Sequence, residues 1–423
     1  MCKRNSGDFP PSCVNFLRSS GLEKSYTLGE KPWPSSPGFG RSPCRHPDSG
    51  RFGYKTANSP GQVLAMNTAA AALVLSIAMA PGETPARDDE MPANIPAASV
   101  DVWLVSTRRL PGGDCPDQAQ PDYWHLSGGA EWAPADQQAF LAAGRRSVPT
   151  VFFVHGNRSD ACDAVDEGME FCKQLEVLAP GARFRFVIWS WPADRVSRRN
   201  RPDLQVKDVV SQREALCLAR MLDRIHPDVP VSLVGYSYGS QTIVGAIKLL
   251  AGECYAGHTF QRRGPPRRAP LRAVLAAGAV ESDALASADP ARQPLDRVDR
   301  LLITRNGCDP TLKFYPLLYR RRGPEALGFV GPTCLDPGDP NLPKVEVIDV
   351  TQAVGKQHAW ECYRNAEPLR ERLAWYTFLQ PDRGPEKGVL RQNDAAEQTG
   401  PTLPQHTYGP AGGTLPCPAQ PDH

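Results

Sequence analysis

The chain has 423 residues, with 48 Lys and Arg against 46 Asp and Glu and a net charge of +2. A balance that close provides no whole-molecule field to attract nucleic acid or an anionic membrane surface, so neither is expected as a partner. The 43 prolines crowd both ends, from Met1 to about Gly61 and from Gln380 to His423, where hydrophobic periodicity is absent and a packed core is excluded.

In chain order, residues 1–65 read as a Pro/Gly/Ser-rich extension that is disordered or precedes the true start. Residues 66–97 follow as an apolar, signal-like segment with a spacer. Its core, Ala69 to Ala80 (AAAALVLSIAMA), is too short to span a membrane and matches the hydrophobic region of a secretory signal. It begins just after Met66, and Ala78 and Ala80 supply the small-x-small pattern that signal peptidase reads. An exported protein, periplasmic or extracellular, with no stable membrane span after signal removal is therefore expected. No Lys or Arg lies between Met66 and the run, and Pro81 occupies the cleavage position. The alternative is an Ala-rich helix, which leaves the protein in the cytoplasm.

Residues 98–379 carry the core. Apolar runs of strand length alternate there with segments of helical period: Val100 to Val105, Thr150 to Val154, Phe184 to Trp189, Val231 to Val234, Leu271 to Ala277, Leu301 to Thr304 and Val345 to Val350. Near-continuous apolar blocks suit strands buried on both faces, so the expected class is α/β, a mostly parallel sheet with helices on both faces in three layers. Helices are expected over Asp160 to Leu178 and Asp208 to Ile225, where apolar residues recur at helical spacing. Residues 380–423 read as a disordered Pro/Gly-rich tail.

The sharpest motif joins the run Val231 to Val234 to Gly235-Tyr236-Ser237-Tyr238-Gly239 and a helical stretch. At ordinary Gly and Ser frequencies a chain of this length shows a bare G-x-S-x-G by chance roughly one time in seven, so the flanking strand and helix carry the assignment. It reads as a nucleophile elbow, with Ser237 on a tight turn and Gly235 and Gly239 leaving room around it. The amide of Tyr238, at the helix start, is a candidate oxyanion donor. A second donor is expected from the loop His155-Gly156-Asn157-Arg158, where Gly156 permits close approach and the amide of Asn157 or Arg158 completes the hole. His155 sits on the wrong strand for a base and is expected to shape the loop.

Chain order selects the remaining partners. Asp309 follows the run Leu301 to Thr304 in the turn Arg305-Asn306-Gly307-Cys308-Asp309-Pro310. His358 follows Val345 to Val350 and the loop Thr351 to Gln357, just before a helix. The order Ser237, Asp309, His358 gives nucleophile, orienting acid and base. The plain alternatives are a turn-capping Asp309, with Glu281 and Asp283 as reserve acids, and a surface His358. His125, His226 and His258 fall in connections away from the site.

Twelve cysteines, nine of them after Ala80, suit an exported chain with disulfides. No C-x-x-C pair or zinc-like Cys/His spacing occurs, so no metal is expected. Cys308 and Cys362 each lie close in sequence to a candidate catalytic residue, which raises the idea of a clip near the site. Two basic clusters stand in what read as loops, Arg195, Arg198, Arg199 and Arg201, and Arg262, Arg263, Arg267 and Arg268. The plain reading of each is solvated surface, and the other is a site for an anionic ligand.

Residues 98 to 379 resemble the α/β-hydrolase superfamily, and within it an uncharacterised, esterase-like bacterial family. The resemblance rests on Ser106-Thr107-Arg108, His155-Gly156-Asn157, Trp189-Ser190-Trp191-Pro192, the elbow, and Asn306 with Asp309. It implies an eight-stranded or slightly reduced sheet, no cofactor, and a serine hydrolase that cleaves a small-molecule ester-like or amide-like acyl bond through an acyl-enzyme. The segment after Trp191 is Arg-rich in place of an apolar lid, which argues against a lipase. If those arginines stand over the pocket, the substrate is anionic. The competing expectation is a non-catalytic α/β-hydrolase scaffold acting as an exported binding protein.

Overall fold

In a computed structural model of the chain, the described residues are 100–110, 120–127, 131–144, 148–287, 289–318, 323–336 and 338–380. The expected extension, signal-like segment and C-terminal tail lie outside them. Nine strands form one sheet: β1 (Val100–Ser106), β2 (Asp122–Ser127), β3 (Glu131–Ala135), β4 (Thr150–Val154), β5 (Phe184–Ser190), β6 (Val231–Tyr236), β7 (Leu271–Ala276), β8 (Arg300–Arg305) and β9 (Val345–Asp349). Their spatial order is β3-β2-β1-β5-β4-β6-β7-β8-β9. From β1 to β9 every neighbouring pair is parallel, and only β2 and β3 are added antiparallel at one edge.

The seven runs read from the sequence are β1 and β4 to β9. All residues of β4, β5, β6 and β7 are buried, as continuous apolar strands covered on both faces must be. The hairpin β2–β3 was not anticipated; added to the seven runs it makes nine strands among the described residues, where an eight-stranded or slightly reduced sheet was expected. Every residue of β3 is at least partly exposed, and Pro134 stands in it, so it lacks the apolar run that marks a central strand. His125, expected in a connection, lies in β2 and stacks on Trp103 with ring centroids 4.5 Å apart.

The longer helices are α2 (Ala161–Leu178), α3 (Asn200–Arg224) and α4 (Tyr238–Ala251); α1 (Gln137–Ala142), α5 (Pro310–Lys313), α6 (Leu327–Val330), α7 (Thr351–Val354) and α8 (Trp360–Asn365) are short, and α9 (Glu367–Tyr376) follows. α2 starts where Asp160 accepts from the amides of Cys162 and Asp163 while the Asp163 side chain returns a bond to the Asp160 amide, a capping box. α3 begins eight residues before the expected Asp208. Pro202 falls in its first turn, where its missing N–H would have had no acceptor in any case.

Crossover direction sets the layers. The chain steps from β4 outward to β5 through α2, then back past β4 to β6 through α3. Right-handed crossovers therefore place α2 and α3 on opposite faces. α4 packs against α3, and α9 packs against α2, giving three layers. α4 is apolar almost all round, and only Lys248 among its residues escapes burial. The direction reverses between β4 and β6, and in open parallel sheets the carboxyl edge at such a reversal is where ligands bind. The mostly parallel sheet with covering helices is an α/β-hydrolase fold. Among the described residues, no helix is long and apolar enough to cross a membrane, and no three His, Cys, Asp or Glu side chains are grouped to hold a metal ion.

Candidate active site

Ser237 stands at the carboxyl end of β6, with φ 54° and ψ −118°. A non-glycine residue in that region costs about 1–3 kcal/mol and is kept only where its surroundings dictate it. Those surroundings are specific. The Ser237 amide donates to the carbonyl of Ala276 at the end of β7 (3.0 Å), and its carbonyl accepts from the amides of Ser240 (3.0 Å) and Ala279 (3.2 Å). A Cβ on Gly235 would fall 2.8 Å from the Gly239 backbone, and one on Gly239 would collide with the Val154 carbonyl oxygen. Both glycines are thus required by close backbone approach, and the elbow seats directly on the end of β4.

The loop after β4 shapes the neighbouring wall. A Cβ on Gly156 would meet the Tyr236 ring at 2.7 Å, so only glycine lets the loop run this close to the elbow. The Asn157 amide has no hydrogen-bond partner among the described residues, whereas the Arg158 amide donates to the Ala193 carbonyl at 2.9 Å. Of the two expected donors, Asn157 is therefore the one left to receive a ligand. Tyr238 opens α4, and the first amides of a helix have no acceptor within it. Its hydroxyl donates to the Leu204 carbonyl of α3 at 3.3 Å.

His155 is fully buried and does not approach Ser237. Its Nε2 accepts from the Trp191 amide at 3.2 Å, so Nδ1 carries the proton and donates to the Gly156 carbonyl at 2.9 Å. Burial, aided by the Arg108 cation, pushes its pKa down to about 3. It is a neutral strut for the loop. Arg108, also buried, binds Ser190 Oγ and Asp194 at 2.7 Å and the carbonyls of Ser159 and Asp160 at 2.9 Å, and so ties the loops after β1, β4 and β5 together.

The two residues chosen from chain order meet the serine. Ser237 Oγ lies 3.1 Å from His358 Nε2, and His358 Nδ1 lies 2.7 Å from Asp309 Oδ2. Asp309 is wholly buried, and its two oxygens divide their work. Oδ1 caps α5 by accepting from the amides of Thr311 (2.9 Å) and Leu312 (3.2 Å), while Oδ2 takes the imidazole and the Tyr363 hydroxyl, each at 2.7 Å. The expected turn cap and the contact with His358 thus coexist on one carboxylate. The reserve acids are not used: both ring nitrogens of His358 are already engaged, and Glu281 pairs with Ala326 in an isolated bridge.

Several residues support the site; Asn306 and Tyr236 belong to segments singled out in the sequence, whereas Tyr363 and Trp360 had no motif to reveal them. Tyr363 lies in α8, the helix that follows His358, and Asn306 Nδ2 donates to its hydroxyl (3.1 Å) and to the Gly355 carbonyl (2.9 Å). Tyr236 donates its hydroxyl to the His358 carbonyl. Its ring stacks obliquely on Trp360, which also packs against Phe153 and Phe171. This aromatic cluster fixes the backbone that carries the imidazole. Of the two cysteines near the site, Cys308 is disulfide-bonded and Cys362 is a free thiol, so the two are not joined to each other.

No family model matches the chain, and no curated protein matches it. Among solved structures, acyl-protein thioesterase 2 of Zea mays is 17% identical with a TM-score of 0.26, over 48% of this chain and 84% of that one. An acetylxylan esterase is 11% identical with a TM-score of 0.27, over 55% of this chain and 97% of that one. Both likenesses are too slight to carry an argument about the site.

Proposed function

We propose that this protein is a serine hydrolase that cleaves an ester-like, or amide-like, acyl bond through an acyl-enzyme on Ser237. The observation that carries the reading is the unbroken relay from Ser237 Oγ through His358 to buried Asp309, at 3.1 and 2.7 Å, on a strained elbow. Such strain persists where function depends on it, and the relay has the geometry that proton transfer needs.

In this mechanism Ser237 Oγ attacks the substrate carbonyl as His358 Nε2 takes its proton. Asp309 holds the imidazole in the Nδ1–H tautomer and stabilises the imidazolium. The amides of Tyr238 and Asn157 receive the oxyanion, each such donor contributing roughly a hundredfold or more in rate. His358 then protonates the leaving group, and the same imidazole activates the water that releases the acyl group.

The test is hydrolysis of short p-nitrophenyl esters by the full chain. A burst of nitrophenol equal to the enzyme present is expected, with kcat lowered by about a thousandfold or more in Ser237→Ala and in Asp309→Asn. Hydrolysis unchanged by Ser237→Ala would overturn the reading.

A further inference from the structure

The two basic clusters prove to be unlike. Arg262, Arg263, Arg267 and Arg268 gather at the amino edge of the sheet, where the Arg268 amide bonds the Pro227 carbonyl ahead of β6. Acids answer two of the guanidiniums: Arg262 binds Asp223, which also takes the Arg263 amide, and Arg268 clasps Asp228 with two bonds of 2.6 and 2.8 Å, while Arg267 donates to the Val229 carbonyl. That cluster is a compensated surface.

The other cluster lies at the carboxyl edge of the sheet, the edge at which β6 delivers Ser237. Arg195 and Arg198 occupy the loop after β5, Arg199 caps α3 and Arg201 lies in its first turn, not in a loop as expected. All four are exposed, and none has a carboxylate within ion-pair distance among the described residues. The two nearby acids are committed elsewhere, Asp194 to buried Arg108 and wholly buried Asp203 to the amides of Val196 and Ser197. Arg158, which directly follows the Asn157 amide and has a φ of 65°, meets Asp203 at 3.5 Å.

Two of these cations converge. Arg158 and Arg195 each donate a terminal nitrogen to the same acceptor, Asn200 Oδ1, at 2.8 and 3.2 Å. Two guanidiniums on one neutral oxygen repel each other, and the only carboxylate within ion-pair distance of either among the described residues is Asp203, on the Arg158 side and shared with two amides. Arg195 is nevertheless held in place by the carbonyls of Ser197 (2.9 Å) and Arg198 (2.7 Å). The loop beneath is braced by Arg108 on Asp194, Lys207 on the Pro192 carbonyl and Asp203 on two amides. Paired guanidiniums fixed on a braced loop are a receptor for a carboxylate or phosphate.

Given the hydrolase reading above, on which this step rests, we propose that the acyl part of the substrate carries a negatively charged group bound by Arg158 and Arg195. The sheet order assigns it to the acyl part. Arg158 and Arg195 follow β4 and β5, on one flank of β6, while Asp309 and His358 follow β8 and β9, on the other. The leaving-group oxygen must face His358 to be protonated, so the acyl chain runs toward the arginines.

The experiment compares kcat/KM of the full chain for mono-p-nitrophenyl glutarate and for p-nitrophenyl pentanoate, which match in chain length and differ in the terminal carboxylate. The glutarate ester is expected to be preferred about tenfold or more, with the preference shrinking as salt rises. Arg195→Gln and Arg158→Gln are expected to cut that ratio by about tenfold, mainly through KM of the charged ester. Arg268→Gln, in the compensated cluster, should leave the ratio as it is. Turnover of both esters with the neutral one preferred, or a ratio unmoved by Arg195→Gln, would overturn the anionic acyl group and leave the hydrolase standing. Labelling of Ser237 by a fluorophosphonate without turnover of either ester would also overturn it. Absence of both labelling and turnover would overturn the hydrolase reading itself.

Discussion

Glu167, on α2, has a carboxyl that the proposed mechanism does not use. Burial pushes its pKa up from 4.5 to about 7, and Asp163, Glu170 and Asp166 add to the rise against a hydrogen bond from Ser159. The folded protein therefore keeps a proton between pH 4.5 and about 7 that the unfolded chain has released, and stability falls as pH rises through that window. Glu167→Gln removes the penalty. Urea unfolding is expected to show the variant about 1–3 kcal/mol more stable than the parent near pH 8, with little difference near pH 4. Equal stabilities at both pH values would mean that the carboxyl is better solvated than its surroundings suggest. His155 presents the opposite case at the same scale. Its pKa is pushed down to about 3, which keeps it neutral and removes it from competition with His358 as the base.

At the scale of elements, the elbow depends on how closely β6, α4 and β4 approach one another. Gly239→Ala drives a methyl group into the Val154 carbonyl, whereas a Cβ on Gly307 finds its nearest neighbours 3.9 Å away or more. Thermal unfolding is expected to show a loss of about 3 kcal/mol or more for Gly239→Ala and less than about 1 kcal/mol for Gly307→Ala. A tolerated Gly239→Ala would mean that the elbow does not rest on β4. The same contrast explains what the sequence reveals. β4 to β9 were legible because strands buried on both faces must be written as apolar runs, and the meeting of Ser237, His358 and Asp309 because each follows a legible strand at the carboxyl edge. The β2–β3 hairpin was not, since an edge strand with one wet face and Pro134 writes no such run. The start of α3 was hidden because Arg199, Arg201 and Pro202 look like loop residues, although a first turn accepts them. Tyr363 serves Asp309 through a tertiary contact that no local spacing encodes.

Across the whole molecule, the reversal of crossover direction between β4 and β6 brings the ends of four parallel strands to one edge. β4 supplies the Asn157 amide, β6 the serine, β8 the acid and β9 the imidazole, so residues from 157 to 358 meet without any of them lying in a shared motif. Distribution of charge follows the same polarity: at the amino edge Arg262 and Arg268 are matched by Asp223 and Asp228, and at the carboxyl edge Arg195, Arg198, Arg199 and Arg201 have no carboxylate within ion-pair distance among the described residues. The central claim is that Ser237 is an activated nucleophile, and the most direct measurement is fluorophosphonate labelling of the full chain followed by peptide mapping. A single adduct on the peptide that contains Ser237, strongly weakened in His358→Ala, is the expected result. A folded protein that takes no label would contradict the claim and favour a non-catalytic binding scaffold, and an adduct that persists in Ser237→Ala would place the nucleophile at another residue.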